Sequence, residues 1–136
     1  MADDSLFTAA LLAAEKSYSP YSHFRVGAAL LGSSGKVYVG TNVENRSFGL
    51  TICAERSAIA SAVSAGEREF TAMAIATPDS GEPVGPCGAC RQVISEFLSP
   101  DAEIEFGATL DRRLSVKLSD LLPWDSLQDL KSRSDG

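Results

Sequence analysis

The stretch that begins with Cys53-Ala54-Glu55 and ends with Pro86-Cys87-Gly88-Ala89-Cys90 contains all three cysteines of the chain. Each cysteine segment stands where the sequence pattern predicts the start of a helix. The chain between the two segments is long enough for one helix and one returning strand, an arrangement that places two helix starts side by side along one sheet edge. The stretch therefore predicts an α/β fold in which the three thiols meet.

Three thiols followed by a carboxylate at this spacing are typical of a catalytic zinc site. Thiolates from Cys53, Cys87 and Cys90 occupy three corners of the tetrahedron that Zn²⁺ prefers, which leaves the fourth position for water. Cys87 and Cys90 lie three positions apart on one helical face, so both sulfurs can reach one ion. The unpaired N–H groups at a helix start lower the pKa of a thiol below its free value of about 8.5.

Other uses of the cysteines explain the sequence less well. A disulfide framework needs an even number of cysteines, and the chain has three. A redox pair explains Cys87 and Cys90 but not a third thiol followed by Glu55. A closed structural zinc site requires a fourth ligand from His23, the single histidine, which stands in a turn-forming segment and is more often solvated in such a position.

Glu55 and Arg56 complete the predicted chemistry. A carboxylate beside a metal-activated water can take its proton and return it to a leaving amine. Three thiolates leave the zinc complex with a net negative charge, and a guanidinium that donates to a ligand sulfur withdraws part of it. The alternatives are a helix-terminal acid for Glu55 and a solvated surface arginine for Arg56.

Composition limits the classes of partner. The 136 residues, 44% of them hydrophobic, predict one domain over residues 1–136. A net charge of −6 and a pI near 4.7 oppose nucleic-acid binding, so a small-molecule substrate is expected. No apolar run approaches the roughly 20 residues of a membrane span, and the start of the chain lacks the basic residues of a signal peptide. The sequence predicts a cytoplasmic protein with no membrane partner.

Hydrophobic periodicity and turn residues predict the order α-β-β-α-β-α-β-β. The predicted segments are a helix over 5–17, a hairpin of 24–31 and 36–39, a helix over 53–63, a strand over 70–76, a helix over 87–98, strands over 102–108 and 114–116, a helical turn over 118–122 and a frayed tail over 131–136. This order indicates a three-layer sandwich, in which a mixed sheet of about five strands is covered by helices.

Four sequence blocks resemble the small zinc-dependent cytidine deaminases that act on free nucleosides. The blocks are Pro20–Leu30, Asn42-Val43-Glu44-Asn45, Cys53-Ala54-Glu55-Arg56-Ser57-Ala58 and Pro86–Val93, within a similarity that runs from about residue 14 to 130. The resemblance implies a cytidine deaminase-like fold and one Zn²⁺ per subunit. It also implies hydrolysis of cytidine and 2′-deoxycytidine to the uridine products and ammonia, by zinc-bound hydroxide, in pyrimidine salvage.

The resemblance also implies a role for each matching residue. Cys53, Cys87 and Cys90 bind zinc, Glu55 shuttles protons, Asn42 and Glu44 hold the ribose 3′-hydroxyl, Phe24 packs against the nucleoside, and the backbone N–H of Ala54 meets the pyrimidine O2. From the residues alone, Asn42 and Glu44 are equally well explained as turn formers. Phe24 would by default be a core residue.

Members of this family usually form homotetramers whose sites borrow residues from neighbouring subunits. Phe48 stands where tyrosine is common, which removes a phenolic hydrogen bond. Arg46 stands where a small residue is common, and solvent is its expected environment, with a neighbour's 5′ pocket as the alternative. Relatives place a base-stacking phenylalanine a few residues beyond a Leu-Leu-Pro segment. Here Trp124 follows Pro123 directly and takes that stacking role or docks as a core or interface aromatic.

Two other functions could use some of the same residues. A deaminase of a modified cytosine nucleoside uses the same zinc chemistry, although Asn42 and Glu44 favour an ordinary ribose. A non-catalytic zinc-stabilised binding module keeps the cysteines but needs neither Glu55 nor an open coordination position. Nucleic-acid editing is disfavoured by the acidic charge and by the lack of a basic aromatic groove.

Overall fold

One mixed sheet of five strands organises the computed structural model, which describes residues 4–125 and 127. The strands are β1 (Gly27–Gly32), β2 (Val37–Thr41), β3 (Phe70–Ala76), β4 (Leu98–Thr109) and β5 (Arg112–Lys117). The helices are α1 (Ser5–Ala14), α2 (Ala54–Ser64), α3 (Gly88–Phe97) and α4 (Leu118–Leu121), and a 3₁₀ turn spans Phe48–Leu50. The spatial order is β2-β1-β3-β4-β5, with β3 and β4 parallel and the other neighbours antiparallel.

Alternate residues of the central strands face two different helical layers. Leu30 of β1 and Ile75 of β3 belong to the core cluster that includes residues of α2, α3 and α4. Ala29 and Ala74, one position away on the same strands, pack with Phe7 of α1. Because side chains alternate across a strand, each strand contributes to both layers. The prediction of a three-layer sandwich is therefore confirmed.

Two glycines let helices pack directly on strand backbone. A Cβ at Gly27 would lie 2.0 Å from the carbonyl oxygen of Ala10 in α1. A Cβ at Gly40 would lie 2.3 Å from the backbone nitrogen of Ala58 in α2. Both distances are far below van der Waals contact, so neither position has room for a side chain. The close approach at Gly40 holds α2, and with it Cys53 and Glu55, at a defined distance from the sheet.

The unit β3-α3-β4 brings the two predicted helix starts together. Parallel strands need a crossover connection, and α3 provides it. Cys53 is the N-cap of α2 and Cys87 is the N-cap of α3. The three-thiol cluster described below forms at these two helix starts.

The ends of two elements differ from the prediction because tertiary contacts replace the local pattern. Helix α1 ends at Ala14 and not at residue 17, because the N–H groups of residues 15 to 17 bond three residues back and the N–H of Tyr18 bonds to Asn42 O. Strand β1 starts at Gly27 and not at residue 24, because side chains satisfy the backbone of the preceding three residues.

At the β4–β5 edge of the sheet, β4 starts at Leu98 and not at residue 102, and β5 is longer than the predicted 114–116. Pro100 lies within β4, where the β3–β4 register shifts between Phe70 and Ala72. Proline is tolerated at such an irregularity because its missing N–H is not needed by a neighbouring strand. The tail over 131–136 lies outside the described residues. Among the residues that the structure describes, no helix has the length and apolarity needed to cross a membrane.

Candidate active site

The three cysteine sulfurs converge at the adjoining starts of α2 and α3. The Sγ atoms of Cys53, Cys87 and Cys90 all lie within 4.8 Å of one another. Zn–S bonds of about 2.3 Å in a tetrahedron place thiolates about 3.8 Å apart, so the cluster fits one zinc ion. Within residues 4–125 and 127, no histidine or carboxylate joins this group. His23 is exposed, in a turn closed by its N–H bond to Ser19 O, so it does not provide a fourth ligand.

The three thiols do not hold their protons equally. A hydrogen bond from the Cys90 thiol, assisted by the Arg56 guanidinium, lowers the pKa of Cys53 to about 5. The same bond to Cys53, together with burial, raises the pKa of Cys90. One sulfur is therefore ready to bind a cation as a thiolate. A cation that binds all three displaces the remaining protons, because the thiolate is the ligand form of cysteine.

Arg56 lies against the cluster from the first turn of α2. Its Nη2 donates to Cys53 Sγ across 3.2 Å. The thiolate in turn raises the pKa of Arg56, which keeps the guanidinium charged. The structure thus shows the contact with a sulfur that the sequence suggested, and the electronic effect of this contact remains a prediction.

Glu55 is a buried carboxyl beside the sulfurs. Only 5% of its surface is exposed, and it lines a pocket next to Cys53 and Cys87. Burial raises its pKa from 4.5 to about 7, and the negative charge of Cys53 acts in the same direction. A carboxyl with a pKa near neutrality can both accept and return a proton at physiological pH.

The pocket has a volume of about 200 Å³ and opens beside the thiol cluster. Its wall combines residues from the segment before β1, from the ends of β2 and β3, and from the two cysteine segments. The lining residues are Phe24, Val26, Asn42, Thr51, Cys53, Ala54, Glu55, Ile75, Thr77, Val84, Gly85 and Cys87. Most of this wall is apolar or small, with a few polar residues that include Asn42 and Glu55, a composition typical of a site for a small ligand.

Asn42 has most of its hydrogen-bonding capacity committed to the protein. Its Oδ1 accepts from Val26 N at 3.0 Å and from Ser17 Oγ, and its Nδ2 donates to Phe24 O at 2.8 Å. The amide has two N–H donors and two acceptor positions on oxygen. The second N–H of Nδ2 is therefore the group that Asn42 can offer to a ligand.

Glu44 lies outside the pocket wall, unlike Asn42. Its Oε1 accepts from the N–H groups of Tyr21 and Ser22 at 3.0 and 3.1 Å, and its Oε2 accepts from Ser22 Oγ. The Ser22 hydroxyl is the main cause of the lowered pKa of Glu44. The carboxylate thus holds the turn that leads into Phe24. The structure does not bring Glu44 to the pocket of its own chain.

The two aromatic residues expected from neighbouring subunits also lie outside the pocket wall. Phe48 is 77% exposed and Trp124 is 91% exposed. Phe48 makes an edge-to-face contact with Tyr21, with 6.5 Å between ring centroids. Arg46 is exposed, as expected for a solvated side chain. Among the described residues, neither aromatic ring stacks over the pocket of the same chain.

Several wall residues were not identified from the sequence. Val26 and Ile75 look like ordinary strand residues, because their pattern is also that of a core. Thr51 and Thr77 follow no motif of their own. Gly85 was detectable, since it lies in the Gly/Pro-rich loop directly before the Cys87 segment.

Comparisons with known proteins agree with this geometry. A family model described as the cytidine and deoxycytidylate deaminase zinc-binding region matches residues 1–105. A cytidine deaminase from Halalkalibacterium halodurans is 46% identical over 118 residues, which cover 87% of this chain and 89% of the relative.

Solved structures give the same result. The crystal structure of cytidine deaminase from Burkholderia pseudomallei has a TM-score of 0.85 and 46% identity, and the match covers 90% of this chain and 98% of that one. The structure of the Mycobacterium tuberculosis cytidine deaminase has a TM-score of 0.77 and 40% identity, with 88% and 93% covered. The region matched by the family model includes both cysteine segments, and the chain therefore belongs to the cytidine and deoxycytidylate deaminase zinc-binding family.

Proposed function

We propose that the protein catalyses the hydrolytic deamination of cytidine and 2′-deoxycytidine, which releases ammonia and forms uridine or 2′-deoxyuridine. The observation that carries the proposal is the position of Glu55, buried in the wall of a pocket that also includes Cys53 and Cys87. Burial of a carboxyl group is energetically unfavourable, and a non-catalytic binding module does not require one at this position. The relative from Halalkalibacterium halodurans, a cytidine deaminase, supports the same reaction.

Cys53, Cys87 and Cys90 would hold zinc, which would supply an activated water as the nucleophile for C4 of the pyrimidine. Glu55 carries one proton of the attacking water to the ring nitrogen N3. It then carries the second proton of that water to the exocyclic amine, so that the C4–N bond breaks, C4 becomes a carbonyl and ammonia leaves. The raised pKa of Glu55, about 7, suits a group that must act as base and acid in turn.

The pocket residues have the donors that a pyrimidine nucleoside requires. Ala54 is the first residue of α2, so its backbone N–H has no helical partner and can donate to the pyrimidine O2. The second N–H of Asn42 Nδ2 can donate to the ribose 3′-hydroxyl. Glu44 Oε2 accepts from Ser22 Oγ and has a second acceptor position that can take the same hydroxyl. Phe24 in the pocket wall packs against the nucleoside.

Arg56 adjusts the charge of the metal site in this proposal. A guanidinium that donates to Cys53 Sγ withdraws negative charge from a ligand that would otherwise reduce the Lewis acidity of zinc.

We further infer that the protein acts as a homotetramer in cytoplasmic pyrimidine salvage, with one catalytic domain over residues 1–136. The support is the exposed apolar surface near the pocket, where Phe48, Leu50 and Ile52 are all exposed. An apolar surface of this kind marks an interaction site more often than free surface. Phe48 and Trp124 would then reach the pocket of a neighbouring subunit.

An absorbance assay on cytidine tests the activity, with the zinc content of the same sample measured by atomic absorption. The expected result is turnover at one equivalent of zinc per chain, ammonia formed in a 1:1 ratio with uridine, and turnover lost after chelation. Cytidine and 2′-deoxycytidine are compared with a cytosine nucleoside modified on the base. No turnover of the two ordinary nucleosides at full zinc content would overturn the proposal.

A further inference from the structure

The strands β1 and β3 separate where the pocket begins. Their pairing extends to Gly27 opposite Ala76. Beyond this point the pocket is lined by Phe24 and Val26, in the segment before β1, and by Thr77, in the segment after β3. These two segments, the Phe24 wall and the Thr77 wall, therefore line the pocket without sharing a strand ladder.

An ion pair joins these two walls beyond the end of the strand pairing. Asp79 Oδ2 accepts from the backbone N–H of Arg25 at 2.9 Å and from its Nε at 3.0 Å, and Asp79 Oδ1 accepts from Nη2 at 2.7 Å. Such a two-pronged, charge-assisted contact is directional as well as strong. Hydrogen bonds from the Arg25 side chain lower the pKa of Asp79 to about 2, so the pair stays ionised at any physiological pH.

Other contacts of the Phe24 wall come from Ser22 and Asn42. Ser22 Oγ accepts from Phe24 N at 3.0 Å, and Asn42 bonds to Phe24 O and Val26 N. These bonds fix the shape of the segment. Asp79 instead belongs to the loop that follows β3, so its contact with Arg25 links the Phe24 wall to the Thr77 wall.

We propose that Arg25 and Asp79 form a positioning pair that sets the width of the pocket and holds Phe24 in place for the nucleoside. This inference rests on the proposed deaminase function and names two residues that act on substrate binding. Neither side chain is among the residues that line the pocket or form the thiol cluster. Loss of the pair should therefore weaken binding and leave the chemical step nearly unchanged.

The test is a comparison of Arg25→Gln, Asp79→Asn and the double variant with the wild-type protein. Each single variant is expected to raise KM for cytidine about three- to tenfold, with kcat within about twofold, which is the signature of lost binding without lost chemistry. The double variant should have a KM for cytidine no higher than that of either single variant, because all three lack the same interaction. Zinc content should stay at one equivalent.

Two further variants separate positioning from a general effect of charge. Arg25→Lys keeps the charge but cannot form the two-pronged contact, so an intermediate KM is expected. Asp101→Asn breaks the exposed ion pair between Lys117 and Asp101, which are 4.0 Å apart and outside the pocket wall, and should leave KM unchanged. Hydrogen exchange gives a direct readout, since the Arg25 amide should lose protection in Asp79→Asn.

Calorimetry with uridine measures the effect of the pair on binding without any turnover. The Kd of Asp79→Asn is expected to rise by the same factor as KM. An unchanged KM and Kd in Asp79→Asn would overturn the positioning pair, as would a fall in kcat and zinc content without a change in KM. A wild-type protein that neither turns over cytidine nor binds uridine would overturn the proposed function as well.

Discussion

Burial of Glu55 and contact of Arg56 with Cys53 give the two residues properties that neither has on a protein surface. Glu55 lies in a low-dielectric wall, where its charged form is disfavoured and its pKa rises to about 7. Arg56 is one residue further along α2 and donates to Cys53 Sγ. Neighbouring residues of one helical turn thus face the same site, one as a buried carboxyl in the pocket wall and the other as a hydrogen-bond donor to a sulfur.

Replacement of Glu55 by glutamine should abolish the proton transfer and leave the thiol cluster intact. We expect kcat to fall by about 10³-fold or more, because a general acid and base typically contributes 10²- to 10⁴-fold and Glu55 serves both roles. Zinc content should remain at one equivalent. Steady-state rates and atomic absorption on the same preparation measure both quantities, and a variant with more than a tenth of the wild-type kcat would remove Glu55 from the mechanism.

Replacement of Arg56 by glutamine should change the pH dependence of the reaction. Without the guanidinium, more negative charge stays on the ligand sulfurs, and the pKa of a water that zinc activates rises. The activity should therefore decrease about tenfold or more at neutral pH, with its acidic limb displaced to higher pH while zinc stays bound. A pH–rate profile measured from pH 5 to 9 checks this, and a profile identical to the wild type would contradict the proposed role.

At the scale of elements, the site depends on how closely α2 lies on β2. Gly40 faces the backbone of α2 at Ala58, and the same helix begins directly after Cys53. A displacement of α2 moves Cys53 away from Cys87 and Cys90, which belong to the α3 start. The glycine therefore contributes to the metal site without touching it.

Substitution of Gly40 by alanine should destabilise the fold. The added Cβ lies 2.3 Å from backbone, and backbone cannot rotate away as a side chain can. We expect a loss of about 3 kcal/mol in the free energy of unfolding, measured by denaturant titration. Gly81→Ala is the matched control, because nothing lies within 4 Å of its added Cβ, and it should change the free energy of unfolding by less than about 0.5 kcal/mol.

The ion pair between the two pocket loops predicts a specific response to acid. The pKa of Asp79 in the folded protein, about 2, lies below its ordinary value of 3.8. The contribution of the pair to the free energy of unfolding is therefore complete above about pH 4. It decreases as the pH falls towards 2, because Asp79 becomes protonated. The difference in Tm between the wild type and Asp79→Asn should narrow over this interval. A difference that stays constant or widens on acidification would show that the carboxylate of Asp79 does not contribute through its charge.

At the scale of the whole molecule, several large apolar side chains remain exposed. Phe48 and Trp124 are the most exposed large hydrophobic residues that the structure describes. Large aromatic rings left in water favour association, because burial of their surface is the main driving force of protein assembly. This arrangement suits a pocket completed by other copies of the chain.

A mixing experiment tests whether Trp124 acts on a neighbouring subunit. Trp124→Ala is expected to raise KM several-fold, since base–aromatic stacking contributes about 1–3 kcal/mol in other complexes. In tetramers that combine Trp124→Ala with Glu55→Gln subunits, the inactive subunit supplies the missing ring and should restore a wild-type KM. Light scattering confirms the oligomeric state. A fully active monomer, or a KM that mixing does not restore, would contradict a shared site.

Signals that extend over a few residues were sufficient to predict most of the fold. Periodicity and helix-boundary residues, which are close in sequence, predict the order of the elements. They also predict strand β3 and the starts of α2 and α3. The zinc cluster was predictable for the same reason, because Cys87 and Cys90 share one helical turn and Cys53 begins the preceding helix. The family resemblance and the zinc cofactor are confirmed by the comparisons.

Contacts between distant segments required the tertiary structure, since no local pattern encodes the distance between two packed elements. The raised pKa of Glu55 arises from burial by residues far along the chain. Glu44 supports the turn before Phe24 and lies outside the pocket wall, and Arg25 meets Asp79 only because β1 and β3 are neighbours that then separate. Residue type and spacing specified the chemistry available, and packing decided which groups are buried, paired or exposed.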